Sequence, residues 1–124
     1  MNRIDQTFAD LQASGRKALV IYLTAGDPDA ETSFGMMTAA AGHGADVIEL
    51  GLPFSDPTAD GPVIQRASQR AIAGGMNVRG ALALVKRFRD AGVKVEWIPL
   101  DNLIGGYGAA HCMTQVLQRR KENY

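Results

Sequence analysis

Two carboxylates in this chain stand where their chemistry needs explaining. Glu49 interrupts the run Val47-Ile48-Glu49-Leu50, which is too short for a helix and is closed by Gly51 and Pro53, so it reads as a strand buried on both faces. Burying a carboxylate without a partner is costly. Glu49 is therefore either a strand-end carboxylate in solvent or a functional acid at the mouth of a pocket. Asp60 lies on the segment that follows, residues 52–62, which holds three prolines, two acids, a Ser and a Gly and is stiffened by fixed φ angles. Residues 63–73 then read as a helix, with Asp60 as its N-cap and Pro62 near its first position. In parallel α/β folds the loops leaving the C-terminal ends of strands build the active site, so Glu49 and Asp60 can converge on one pocket. Two carboxylates in different surroundings suit the acid and base of proton-transfer catalysis.

The elements that must position this pair alternate along the chain. Ile4, Phe8 and Leu11 recur at helical spacing, so residues 3–14 are expected to form an amphipathic helix that Gly15 ends. Residues 18–24 form a continuous apolar strand, in which Tyr22 is either core packing or a pocket wall. Ala25-Gly26-Asp27-Pro28-Asp29 is a turn by composition, and a helix follows over residues 30–41, closed by Gly42 and Gly44. After Gly74-Gly75, Asn77 caps a helix over residues 78–91 whose apolar face is Ala81, Leu82, Leu84, Val85 and Phe88. Arg79, Lys86, Arg87 and Arg89 read as its solvated face rather than a phosphate site. Gly92 stops it, and residues 93–100 are expected to be a third strand, made unusually polar by Lys94 and Glu96. Strand and helix in alternation make the βαβ pattern of a parallel sheet, and the fold class is α/β.

With 124 residues the sequence supplies one domain. Its formal net charge of +0 offers no electrostatic reason to bind nucleic acid or an anionic membrane. A single cysteine, Cys112, excludes an internal disulfide and fits a reducing compartment. Neither a signal-peptide core nor a run approaching about 18 apolar residues is found, so a soluble cytoplasmic protein is expected.

The run Gly44-Ala45-Asp46-x-x-Glu49-Leu50-Gly51-x-Pro53-Phe54-Ser55-Asp56-Pro57-x-Ala59-Asp60-Gly61-Pro62-x-Ile64-Gln65 resembles the signature of the tryptophan synthase alpha subunit family, and Leu23-Thr24-Ala25-Gly26-Asp27-Pro28-Asp29 resembles its first strand and loop. The likeness is confident over residues 1–92, and residues 93–124 are a diverged tail. It implies the N-terminal part of a (β/α)8 TIM barrel, with about three parallel strands and flanking helices, the first helix plugging the barrel bottom. A complete barrel needs about 250 residues, so at most half of one is expected in this sequence. It also implies a carbon–carbon lyase that cleaves indole-3-glycerol phosphate to indole and glyceraldehyde 3-phosphate without metal or organic cofactor. On matching positions Glu49 is the proton shuttle and Asp60 the acceptor of the indole N–H. Tyr22 walls the indole pocket, where family members more often carry Phe, and Leu100 stands where the family usually places an aromatic. The resemblance sets Pro53, Asp56 and Pro57 against a pyridoxal-phosphate-bearing beta subunit; Asp56 is otherwise a turn-forming Asp before Pro.

Departures from the family pattern concentrate in the tail. Asn102-Leu103-Ile104-Gly105-Gly106-Tyr107-Gly108 echoes the family's Asn-Pro-Ile-x-x-Tyr-Gly, and residues 109–120 would form the next helix. Gly105-Gly106-Tyr107-Gly108-Ala109-Ala110-His111-Cys112-Met113-Thr114 is also similar to the C-terminal segment of arginine deiminases and amidinotransferases, which would make Cys112 a thiolate nucleophile. The alternatives for Cys112 are a recombined segment or a small core residue on a drifted helix. The family holds its substrate phosphate on Gly-rich loops late in the barrel, which this sequence does not reach. The half-barrel is therefore expected to self-associate if it acts as a lyase, or else to serve as a non-catalytic module docking on a beta subunit.

Overall fold

A computed structural model of the chain describes residues 3–55 and 60–95. Its elements run α1 (Arg3–Ala13), β1 (Val20–Thr24), α2 (Ala30–Gly42), β2 (Val47–Gly51), α3 (Pro62–Ala73) and α4 (Val78–Asp90). The strands pair in parallel, with Val20 beside Val47 and Thr24 beside Gly51, and α2 makes the crossover between them. β1 starts at Val20, later than its apolar run, because Asp46 takes over the ladder there: its carboxylate accepts from Leu19 N at 2.8 Å, and its own N–H donates to Leu19 O at 2.9 Å. The expected third strand is not seen where it can be tested: residues 93–95 carry no strand, and residues 96–100 lie outside the described residues.

Helix starts follow the local chemistry. Asp29 caps α2 by accepting from Thr32 N at 2.8 Å, and Asn77 caps α4 by accepting from Gly80 N at 2.8 Å. α2 and α4 then cover one face of the sheet. Ala25, Ala81 and Leu84 are buried there, with Phe34, Leu50 and Met76 packed around them. On α4 the buried stripe is Ala81, Leu84 and Phe88, with Val85 half-buried. Leu82, expected on that stripe, is 46% exposed because it lies one residue, about 100°, off the Ala81–Leu84–Phe88 line. α1 is likewise only partly packed: Leu11 is buried, Ile4 half-buried and Phe8 exposed.

One basic residue of the exposed face of α4 also has a specific partner. Arg87 donates to both carboxylate oxygens of Glu31 on α2, at 2.8 and 3.2 Å, while its guanidinium carbon stands 4.2 Å from the Phe34 ring centre. Arg87 thus joins α2 to α4. Arg79, Lys86 and Arg89 are exposed as Arg87 is, Lys86 pairing with Asp90 one turn on.

Candidate active site

Side chains alternate along a strand, so the face opposite the helices is set by register. Leu50 packs into the helix-covered core; Glu49 must therefore point the other way, together with its register partner Tyr22. Glu49 is exposed and Tyr22 half-buried. The Tyr22 ring leans toward the C-terminal end of the sheet and lies over Gly51: a Cβ on residue 51 would collide with the phenol hydroxyl and stand 2.6 Å from Cζ. Composition marked Gly51 as a strand terminator. Its larger role is to leave room for the phenol beside Glu49.

β2 leads into the loop that carries the second carboxylate. Pro53 is half-buried, while Leu52 and Phe54 beside it are 52% and 61% exposed. Asp60 is half-buried at the entrance to α3, but it is not the helix cap. Pro62 occupies the first helical position, which makes Gly61 the N-cap, without a side-chain bond. The Asp60 backbone instead accepts a hydrogen bond from Gln65 Nε2 at 2.8 Å.

α3 packs against β1 and is tied to the loop beyond that strand. Arg70 Nε and Nη2 donate to the two oxygens of Asp27 at 2.8 and 2.9 Å, a two-pronged bond that raises the guanidinium pKa further. Met76, just beyond α3, fills a slot between Gly26 and Gly80; a Cβ at either glycine would come within 2.7 or 2.9 Å of it. Gly26 also needs its φ of 83°, which side chains disfavour. Asp27 was legible only as part of a Gly-Asp-Pro turn, and nothing in the spacing pointed from it to Arg70.

The structure therefore brings Tyr22 and Glu49 together and sets Asp60 at the entrance to α3, the helix that packs against β1. Leu100, Asp56, Pro57 and Cys112 lie outside the described residues. A cavity of about 580 Å³ opens elsewhere, against the start of β2, between Arg3 of α1, Met37 of α2 and Phe88 of α4, and none of Tyr22, Glu49 or Asp60 lines it. Among the described residues no group of three His, Cys, Asp or Glu side chains gathers as a metal site, and no helix is long and apolar enough to cross a membrane.

Comparison with known proteins gives this geometry a lineage. The family model for the tryptophan synthase alpha chain matches residues 8–118. The chain belongs to the tryptophan synthase alpha chain family. Its similarity to the alpha chain of Burkholderia ambifaria is 62% identity over 90 residues, 73% of this chain and 33% of that one. The crystal structure of tryptophan synthase subunit alpha from Legionella pneumophila superposes with a TM-score of 0.69 at 50% identity, covering 73% of this chain and 34% of that one. A tryptophan synthase structure from M. tuberculosis superposes with a TM-score of 0.70 at 43% identity over 75% of this chain and 37% of that one. The fold is thus the N-terminal part of an alpha-chain TIM barrel, and this sequence spans about a third of the length of these relatives. The family match extends to residue 118 and so includes residues 105–114, on which the second resemblance rests.

Proposed function

We propose that this chain carries the acid–base half of a tryptophan synthase alpha-type lyase, which cleaves indole-3-glycerol phosphate to indole and glyceraldehyde 3-phosphate. The observation that carries the reading is the placement of Glu49 and Tyr22 as register partners on the face opposite α2 and α4, in a chain of this family. The reaction is a reversed aldol. Indole leaves once C3 of its ring is protonated, and the glycerol hydroxyl must lose its proton as the carbon–carbon bond breaks. Glu49, on a strand and beside an aromatic wall, is the group that gives and takes these protons. Asp60 accepts a hydrogen bond from the indole N–H and stabilises the cation that develops. Tyr22 forms the ring wall between them. Leu100 extends that wall in this reading, and a cytoplasmic location goes with it.

In this reading the substrate phosphate is held by groups other than Glu49, Asp60 and Tyr22, and self-association of the chain is part of the proposal. The test is indole release from indole-3-glycerol phosphate by the purified chain, with its mass in solution measured alongside. Release that depends on Glu49 supports the reading; release unchanged in Glu49→Gln overturns it.

The exposed Leu52 and Phe54 beside Pro53 favour a second role for the same loop, as a docking surface for a tryptophan synthase beta subunit through Pro53, Asp56 and Pro57. If docking is the whole function, Glu49→Gln stimulates beta-subunit turnover as well as the native chain does.

A further inference from the structure

Glu49 and Asp60 sit on different elements, and general acid–base work requires their separation to be held closely. A route of fixed contacts runs between them. From Glu49 it passes along the β2–β1 ladder, which extends one step past the strands where Ala25 N donates to Gly51 O at 2.8 Å. The next residues are held as well: Gly26 N donates to the buried Ser33 hydroxyl at 3.1 Å, and Asp27 N to Thr24 O at 3.2 Å. The Asp27 carboxylate, its side chain only 18% exposed, then engages Arg70 with both oxygens, and Arg70 belongs to the helix whose first turn carries the Gln65–Asp60 bond.

We propose that Asp27 and Arg70 are positioning residues for the lyase site, a clasp that fixes α3, and Asp60 at its entrance, relative to Glu49; this deepens the acid–base reading and rests on it. Arg70 is 55% exposed, and ion pairs so open to water contribute little to global stability. Their contribution here is geometric. A two-pronged Arg–carboxylate bond sets both distance and orientation, which a lysine at position 70 cannot reproduce.

The experiment uses the full chain with Asp27→Asn, Arg70→Lys and the double exchange Asp27→Arg with Arg70→Asp. Glu31→Gln, which opens the comparable Glu31–Arg87 pair away from the site, is the control. Amide hydrogen exchange is followed in residues 60–73 and in α2, together with thermal unfolding and the kinetics of indole release. In Asp27→Asn, exchange of residues 60–73 is expected to rise about tenfold while α2 and the melting temperature hardly change. The kcat is expected to fall about tenfold with KM little altered, since a small displacement acts mainly on the reacting geometry. The double exchange recovers much of both, Arg70→Lys recovers neither, and Glu31→Gln leaves kcat unchanged. Unaltered exchange over residues 60–73, or a rise shared equally with α2, overturns the clasp. If the native chain releases no indole the lyase reading fails, and exchange still decides whether Asp27 holds α3.

Discussion

On the helix-covered face of the sheet, Leu50 meets Ala25, Ala81 and Leu84, all apolar and shut away from water. On the opposite face Tyr22, Glu49 and Gly51 present a phenol, a carboxylate and a deliberate gap, and Glu49 is exposed. The two faces alternate residue by residue along the same strand. The comparison teaches that this segment divides its work: one face packs under α2 and α4, and the other, where Thr24 is buried and Tyr22 lies over Gly51, leaves Glu49 exposed and able to carry chemistry.

That division can be broken from either side. The largest effect is expected from Glu49→Gln, which should lower any lyase turnover by about 10²–10⁴-fold, the usual value of a positioned acid or base, with melting temperature unchanged. A parallel loss of stability would show that Glu49 is structural. Leu84→Ala, its mirror on the packed face, should destabilise the fold by about 3 kcal/mol in denaturant titration, from lost burial and the cavity left behind. Gly51→Ala tests whether the open face is free of packing constraint throughout. The added methyl meets the Tyr22 hydroxyl, so we expect a loss of about 2 kcal/mol from overpacking, relieved in Gly51→Ala with Tyr22→Ala. Additive losses in that pair would separate the two residues.

Smaller effects sharpen the packed side. Asn77→Ala removes the cap of α4 and should cost about 1 kcal/mol, while Asn77→Asp should cost less. Acid should act through Glu31 and Asp29. The hydrogen bond from Arg87 holds the Glu31 carboxyl below its ordinary pKa, and the backbone N–H of Thr32 does the same for Asp29. A depressed carboxylate contributes stability above its unfolded pKa and loses it as pH falls through the folded value. Thermal midpoints should therefore decline slightly as pH drops through and below the ordinary carboxylate range. That decline should shrink in Glu31→Gln.

The order of the elements from α1 to α4 and the cap at Asn77 were legible in the sequence, because each rests on local spacing or on one residue's chemistry. Long family motifs around Glu49 and Asp60 made the lineage legible too, and the family match over residues 8–118 bears it out. What escaped depends on meetings between distant segments. The register that sets Tyr22 beside Glu49 is determined by a crossover helix, not by either strand alone. Helical periodicity placed Arg87 on an outer face but could not say that Glu31 of another helix waits there. An Asp near a helix start reads as a cap; the proline at the first helical position moves the cap to Gly61.

The slot that holds Met76 has a consequence for how such chains can drift over generations. Gly80 leaves just enough space for the Met76 sulfur, and Gly26 is constrained twice, by its backbone angle and by the same side chain. In a lineage that kept this joint, a larger residue at position 80 would oblige the end of the Met76 side chain to move away, so the loop after β1 and the start of α4 are coupled through one side chain although more than fifty residues of chain separate them.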